Sequence, residues 1–441
     1  MVSLSLWHEG RPVGRLSEEK TGKAVFSYDP AWLHAQDATE ISYSMPLRAE
    51  PYSGACVRAF VSNLLPDADA ARRRIAQELE LPAADDFSLL AALGRDCIGA
   101  LQFLPSDAVL PTDGEQAAQP ISDQEIGRKL ARLGTYPLGL VRDEDFRLSV
   151  SGAQSKTSLL LRNGGWFLPQ GATPSTHILK VPLGILSQDG IDLSLSCENE
   201  WLCLLLCRLY GIAAAEAELR DFAGRKALVV ARFDRRIGED GRVRRLFAED
   251  FCQALSVRPE QKYEKDAGPG MRECMALLQG SIMAQEDLET FFRAQALFWM
   301  MDAIDGHAKN FSILHLGGGR YRLAPLYDIL SAAPLVASGQ LQQQKLSLAM
   351  GVHGKNRHYR IEEIGVRQFV SSGRRGGLGE GRVRRILTEL SSRTPDAVGE
   401  AERLSRHIPV QVREPIFAAL RRKAERLNQE LASSGSRSAV P

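Results

Sequence analysis

Asp305 and Asn310, in Asp305-Gly306-His307-Ala308-Lys309-Asn310, have the side-chain types and spacing that phosphoryl transfer needs. In the Asp-x-x-x-x-Asn loop of protein kinases the carboxylate orients the acceptor hydroxyl and takes its proton, while the carboxamide holds a magnesium ion. A second carboxylate, Asp328, follows in Pro325-Leu326-Tyr327-Asp328-Ile329. Residues 311–316 and 321–326 are β-prone and joined by Gly317-Gly318-Gly319, which reads as a hairpin. A hairpin brings the chain back near its start, so Asp328 could share a metal with Asn310. Lys309 places a cation beside Asp305, where it could neutralise the transferring group. His307 is a metal ligand or a structural hydrogen-bonding group; with no second His or Cys at ligand spacing, the structural role is favoured. Asp302 ranks below Asp305 because it ends an apolar helix.

Upstream residues offer the rest of a nucleotide site, each with a plainer alternative. Ser149-Val150-Ser151-Gly152-Ala153-Gln154-Ser155-Lys156-Thr157 joins two expected strands. Its small residues would let backbone N–H groups approach phosphate oxygens, and Lys156 adds charge. It is not a Walker A loop, because Ser155 rather than Gly precedes Lys156 and a strand follows; an ordinary hairpin turn is the alternative. Lys180 ends the apolar run His177-Ile178-Leu179-Lys180, where kinases place a phosphate-gripping lysine paired with a helix glutamate. Glu198 and Glu200 are both available for that pairing, and a solvent-facing lysine is the plainer reading. Val229-Val230-Ala231-Arg232-Phe233-Asp234 leaves an apolar strand for polar ground, as a hinge offering backbone and the Phe233 ring to adenine would. Arg232, Asp234 and Arg235 serve equally well as a structural ion-pair cluster.

These residues need positioning elements, and the sequence supplies them in order. Residues 1–104 read as a small α+β domain, with strands around the Glu9-Gly10-Arg11-Pro12 turn and helices at 57–65 and 68–79. Residues 105–120 are rich in Pro, Ala, Gln and Asp without apolar period, and read as a linker. A helix over 121–133, capped by Ser122 or Asp123, opens a lobe reaching to residue 240. Strands are expected at 146–150, 157–161, 165–167, 176–181, 218–221 and 226–233, with a helix over 197–210 ending at Gly211. Residues 241–432 are expected to be helical (250–255, 270–279, 286–302, 382–391, 396–407 and 410–432), interrupted by the Asp305–Asp328 hairpin. Residues 433–441 carry no core-forming pattern and read as a disordered tail. The fold class is α+β: a two-lobed, protein-kinase-like fold with a small N-terminal α+β domain and an all-helical C-terminal part.

Bulk properties narrow the partners. The 441 residues suffice for several cores, and 55 basic against 54 acidic side chains argue against bulk attraction to nucleic acid or membrane. Seven cysteines without a C-x-x-C pair suggest reduced, buried thiols, Cys203 and Cys207 among them. With neither a signal-peptide pattern nor a spanning apolar run, a soluble cytoplasmic protein is expected. Arginines crowd residues 355–385, with Gly373, Gly376 and Gly377 suggesting a flexible basic loop around Arg374. A solvated face and a contact to DNA phosphates are the two readings.

Taken together, Asn63-Leu64-Leu65-Pro66-Asp67, the 149–156 loop, Ile178-Leu179-Lys180, Arg232-Phe233-Asp234-Arg235, Glu249-Asp250-Phe251-Cys252-Gln253, Lys262-Tyr263-Glu264, Gly268-Pro269-Gly270, Asp305 to Ser312 and Tyr327-Asp328 resemble the HipA family. These are bacterial serine/threonine kinases, the toxin half of HipBA-type toxin–antitoxin modules. The resemblance implies Asp305 as catalytic base with Lys309 beside it, and Asn310 and Asp328 as Mg²⁺ ligands. ATP would be held by Ser151, Gly152, Ala153, Gln154, Ser155, Lys156 and Lys180, by the hinge residues Ala231, Arg232 and Phe233, and by His307, Ala308, Lys309, Asn310, Tyr327 and Asp328. Ser149 matches the family's autophosphorylated serine, whose phosphate should keep the loop from folding over ATP. Implied partners are a dimeric HipB-like helix-turn-helix antitoxin, operator DNA near Arg374, and an aminoacyl-tRNA synthetase substrate, notably glutamyl-tRNA synthetase. A small-molecule kinase and a co-repressor are the rival readings.

Overall fold

The computed structural model describes residues 3–106, 116–133, 156–186 and 190–435. Its N-terminal unit is a five-stranded antiparallel sheet. Ser3–His8 lies between Arg11–Glu18 and Gln102–Pro105, with Ala24–Tyr28 and Tyr52–Ser53 beyond. Alternate side chains such as Leu4, Leu6, Leu16 and Phe26 are buried on one face, as a period of two requires. The helices Ala55–Asn63 and Asp86–Leu93 contribute Val57, Phe60 and Leu90 to the same core.

The next unit is a six-stranded antiparallel sheet in the order Ala217–Phe222, Arg225–Ala231, His177–Lys180, Lys156–Arg162, Gly165–Pro169, Ala118–Pro120. The unbroken apolar run in Arg225–Ala231 has a simple cause: both of its faces are covered. Ala227 and Val229 pack with Ile126 and Leu130 of the helix Asp123–Arg132. Leu228 and Val230 pack with Cys197 of the helix Ser196–Leu209. Each large apolar side chain so buried contributes about 1.5–3 kcal/mol. Ser122 caps the first of these helices through a capping box with Glu125. The stretch 105–120, expected as a linker, ends in an edge strand against Gly165–Pro169. Pro120 is tolerated there because an edge position needs no second ladder bond. Residues 107–115, the expected strand 146–150, Ser149 and Ser151 to Ser155 lie outside the described residues.

The C-terminal part is mainly, not wholly, helical. Met271–Leu278, Ala284–Met300, Val366–Arg375, Glu380–Leu404 and Val410–Gly435 surround a core that includes Phe291, Phe292, Trp299, Phe369 and Phe417. It also carries a three-stranded sheet, Ala248–Asp250, Ser312–His315 and Tyr321–Leu323, and a pair of strands, Ser347–His353 and Arg357–Arg360. The helices expected at 382–391 and 396–407 are one continuous helix through Pro395. Proline there removes a backbone donor, but Val383, Leu387, Leu390, Val398 and Ala401 anchor the rod on both sides of it. The last helix takes in residues 433–435 of the expected tail, and residues 436–441 lie outside the described residues.

The basic stretch is not a flexible loop. Arg374 stands in the last turn of the helix Val366–Arg375. A Cβ on Gly373 would meet Val383 Cγ2 at 2.2 Å, and one on Gly376 would meet Met275 Sδ at 2.2 Å. Both glycines are small because neighbours approach closely, not because the chain must bend.

The N-terminal unit docks through buried polar groups. His315 lies between Glu40 at 3.1 Å and Glu249 at 2.9 Å. Asp234 Oδ2 accepts from the Gly99 N–H at 2.7 Å, and Gln253 Nε2 donates to the Phe60 carbonyl at 2.9 Å. Among the described residues no helix is long and apolar enough to cross a membrane.

Candidate active site

Strand alternation aims Lys180. Leu179 joins the core on the side of the helix Asp123–Arg132, so Lys180 faces the opposite side, toward the helix Ser196–Leu209. Its Nζ lies 2.7 Å from Glu200 Oε1 and 2.9 Å from Asp328 Oδ1. Of the two glutamates left open by the sequence, Glu200 takes the lysine, whereas Glu198 lies 3.6 Å from Lys226. Lys180 is buried on an interior strand, which removes the solvent-facing reading. Burial opposes a charge here, but Asp328 and Glu200 outweigh it and hold the lysine pKa well above its usual value. Burial likewise opposes the Asp328 charge, yet the Lys180 and Lys156 cations keep its pKa below the usual carboxylate range. Lys156 stands directly across from Lys180 in the strand register.

Asp328 has φ +59°, a left-handed conformation that costs a non-glycine residue roughly 1–2 kcal/mol. The preceding Tyr327 ties this strained point to the catalytic-type loop: its hydroxyl lies 2.7 Å from Ser312 Oγ and donates to the Lys309 carbonyl at 3.1 Å. The loop closes on itself, with Asn310 Nδ2 donating to the Asp305 carbonyl at 2.8 Å. Tyr263 donates its hydroxyl to Asp305 Oδ1 at 2.7 Å. His307 Nε2 lies 3.9 Å from the same oxygen, and its ring meets Tyr263 edge-on at 4.9 Å. Burial and the Lys262 cation hold the His307 pKa well below its usual value, so the imidazole is neutral. Asp302, just ahead of the loop, is buried and lies 3.7 Å from Lys423 and 3.3 Å from Arg422 of the last helix. Its role is structural.

Three further groups were not assigned from sequence. Asp67, in the segment after the helix Ala55–Asn63, pairs with Lys309 and lies 2.8 Å from Lys262. Tyr263 orients Asp305. Asp250, buried at the start of the helix Phe251–Ala254, is pushed up to about 7 by burial against the pull of Lys309. All three lie in short segments that carry the family resemblance, but spacing alone gives them no role.

At the expected hinge, Ala231 N–H donates to the Glu216 carbonyl and Arg232 N–H to the Thr176 carbonyl, both at 2.9 Å. The Arg232 side chain belongs to the ion-pair cluster, 2.8 Å from Asp234 and 3.4 Å from Asp96; Arg235 lies 3.0 Å from Asp96. Phe233 stacks on Tyr327 with centroids 5.4 Å apart. Its ring therefore joins the hinge to the Asp328 segment.

For magnesium the donor set would be a carboxylate, Asp328, and the amide oxygen of Asn310, whose Nδ2 is already engaged. Two protein oxygens suit Mg²⁺, which takes its remaining ligands from water and nucleotide phosphates. Among the described residues no group of three or more His, Cys, Asp or Glu could hold a metal by itself.

A buried lysine paired with a helix glutamate, facing an Asp-x-x-x-x-Asn loop across a second aspartate, defines a kinase. The HipA N-terminal domain family matches residues 4–104, and the HipA-like C-terminal domain family matches residues 148–398. "Putative kinase Y4mE" of Sinorhizobium fredii is 37% identical over 399 residues, covering 90% of each chain. "Serine/threonine-protein kinase toxin HipA" of Shewanella oneidensis is 28% identical over 407 residues, covering 88% of this chain and 86% of its own. The structure of Shewanella oneidensis HipA, solved with HipB and operator DNA, superposes with a TM-score of 0.80 at 22% identity, over 97% of this chain and 98% of that one. That likeness carries the fold. The chain belongs to the HipA family, and with it to the HipA-type kinase toxins of toxin–antitoxin systems.

Proposed function

We propose that the chain transfers the γ-phosphoryl group of ATP to a serine of a protein substrate, as the toxin of a type II toxin–antitoxin module. One observation carries the reading: Lys180 is buried, 2.7 Å from Glu200 and 2.9 Å from Asp328. In this reading Asp305 orients and deprotonates the acceptor hydroxyl, and Lys309 offsets charge on the transferring group. Asn310 and Asp328 hold Mg²⁺, which when bound neutralises the phosphate oxygens. Lys180 and Lys156 grip the phosphates, with residues 151–155 as the loop over them. Residues 231–233 border the adenine with the Phe233 ring and with the carbonyls of Ala231 and Arg232, whose N–H groups are already bonded to Glu216 and Thr176; His307, Ala308 and Tyr327 line the site.

The finer proposals are an aminoacyl-tRNA synthetase target, first of all glutamyl-tRNA synthetase, and autophosphorylation on Ser149 as an off switch. A HipB-like antitoxin dimer would neutralise the kinase in the cytoplasm and place it on operator DNA, with Arg374 near the phosphates. The Shewanella oneidensis complex of HipA, HipB and operator DNA supports that assembly. Labelled ATP incubated with the protein and a cell lysate should mark a discrete protein band, and Asp305→Gln should abolish both the label and growth arrest. Full toxicity in that variant would sink the assignment. A labelled metabolite in place of a protein would favour the small-molecule kinase. The co-repressor role is measured separately, by titrating operator DNA with antitoxin in the presence and absence of this chain.

A further inference from the structure

We infer that Asp67, supplied by the N-terminal unit, is a positioning residue of the catalytic loop; the inference rests on the kinase reading. Lys309 lies inside the loop that carries Asp305, and Lys262 directly precedes Tyr263, whose hydroxyl is 2.7 Å from Asp305 Oδ1. One carboxylate spans both cations: Asp67 Oδ2 is 2.8 Å from Lys262 Nζ, and its other oxygen meets Lys309 Nζ. The three side chains are largely buried, so two ammonium groups this close would repel strongly without the anion between them. Their combined attraction holds the Asp67 pKa well below its usual range despite burial.

The backbone just before Asp67 is itself anchored. Arg72 Nε donates to the Pro66 carbonyl at 2.7 Å, and its Nη1 lies 2.6 Å from Asp86 Oδ1. With Asp67 in place, both lysines have a carboxylate in direct contact, and Asp305 acts on Lys262 as a second, weaker attraction. Asp305 is then oriented by the neutral Tyr263 hydroxyl, and Lys309 keeps a fixed position for the incoming phosphoryl group. Removing the carboxylate would release both cations toward Asp305. The N-terminal unit is thus a working part of the catalytic centre.

The test uses the full chain and initial rates of label transfer from ATP into lysate protein, with ATP varied. Asp67→Asn should lower kcat by between about tenfold and a hundredfold, the range expected for a misplaced catalytic group, with KM for ATP essentially unchanged. A purely structural tie would instead lower the melting temperature and leave kcat per folded molecule intact. If the added buried charge prevents folding, the Asp67→Asn, Lys262→Met pair restores the local charge count but still leaves Lys309 unheld, so it should fold and remain slow. If neither folds, Asp67→Glu decides, since it keeps the anion but moves it by a methylene: a reduced kcat at unchanged KM supports the inference. Wild-type kcat in any folded variant lacking the carboxylate, or in Asp67→Glu where only that folds, overturns it. Absence of Asp305-dependent labelling by the wild-type chain would be a failure of the kinase reading itself, and is distinguishable.

Discussion

Lys180 carries a full charge into the protein interior, and two carboxylates make that tolerable. They do different work. Asp328 is the partner a metal–nucleotide complex would draw away, whereas Glu200 is fixed on a helix and holds the lysine in place. Glu200→Gln should therefore lower kcat/KM for ATP by roughly ten- to a hundredfold, the value of a charge-assisted hydrogen bond of about 1.5–3 kcal/mol. Initial-rate kinetics with ATP varied checks this, and Glu198→Gln should act far less because Glu198 faces Lys226. Sequence types and order pick out Asp305, Asn310, Asp328 and Lys180, because each occurs in a short local pattern. They do not choose between Glu198 and Glu200, which differ by two residues on a helix and point in nearly opposite directions. That choice depends on the rotation of the helix against the sheet. Asp67 carries no local sign of its partners, since Lys262 and Lys309 are brought to it only by domain docking.

At the scale of elements, hydrophobic period and capping residues reveal most helices and strands. The helix Asp123–Arg132 with its Ser122 cap and the doubly covered strand Arg225–Ala231 are legible in this way. Failures arise where tertiary packing overrides a local signal. Pro395 suggests a helix end, yet core contacts on both sides carry the helix through it. Gly373 and Gly376 suggest flexibility, yet they admit Val383 and Met275 at close range. Gly376→Val should consequently cost about 1–3 kcal/mol through overpacking, read as a lower urea midpoint at unchanged slope. A truly flexible loop would tolerate the same change without loss.

At the scale of the molecule, the N-terminal unit has its own apolar core, and polar sockets fix how it docks. His315 shows how such a socket responds to pH. Burial would lower its pKa, but Glu249 and Glu40 raise it to about 9, above the ordinary value of 6.5. Because the folded-state pKa is the higher one, the stabilisation is fully present below pH 6.5. It declines as pH rises and is lost through about pH 9, amounting to about 3 kcal/mol at most. Melting temperature should fall between pH 6.5 and 9.5 more steeply in the wild type than in His315→Gln. Equal slopes would show that the histidine is not charged in the socket.

The pairing of Asp302 with Lys423 also has a consequence for timing. The segment leading into the catalytic loop finds its counter-ion in the last helix, Val410–Gly435. Synthesis proceeds from the N-terminus, so this counter-ion leaves the ribosome well after the segment it supports. A nascent or prematurely terminated chain ending before residue 423 leaves Asp302 buried without that cation, and with the loop's foundation unfinished. Support of the catalytic-type loop is thereby complete only once the last helix has been made and has docked beneath it.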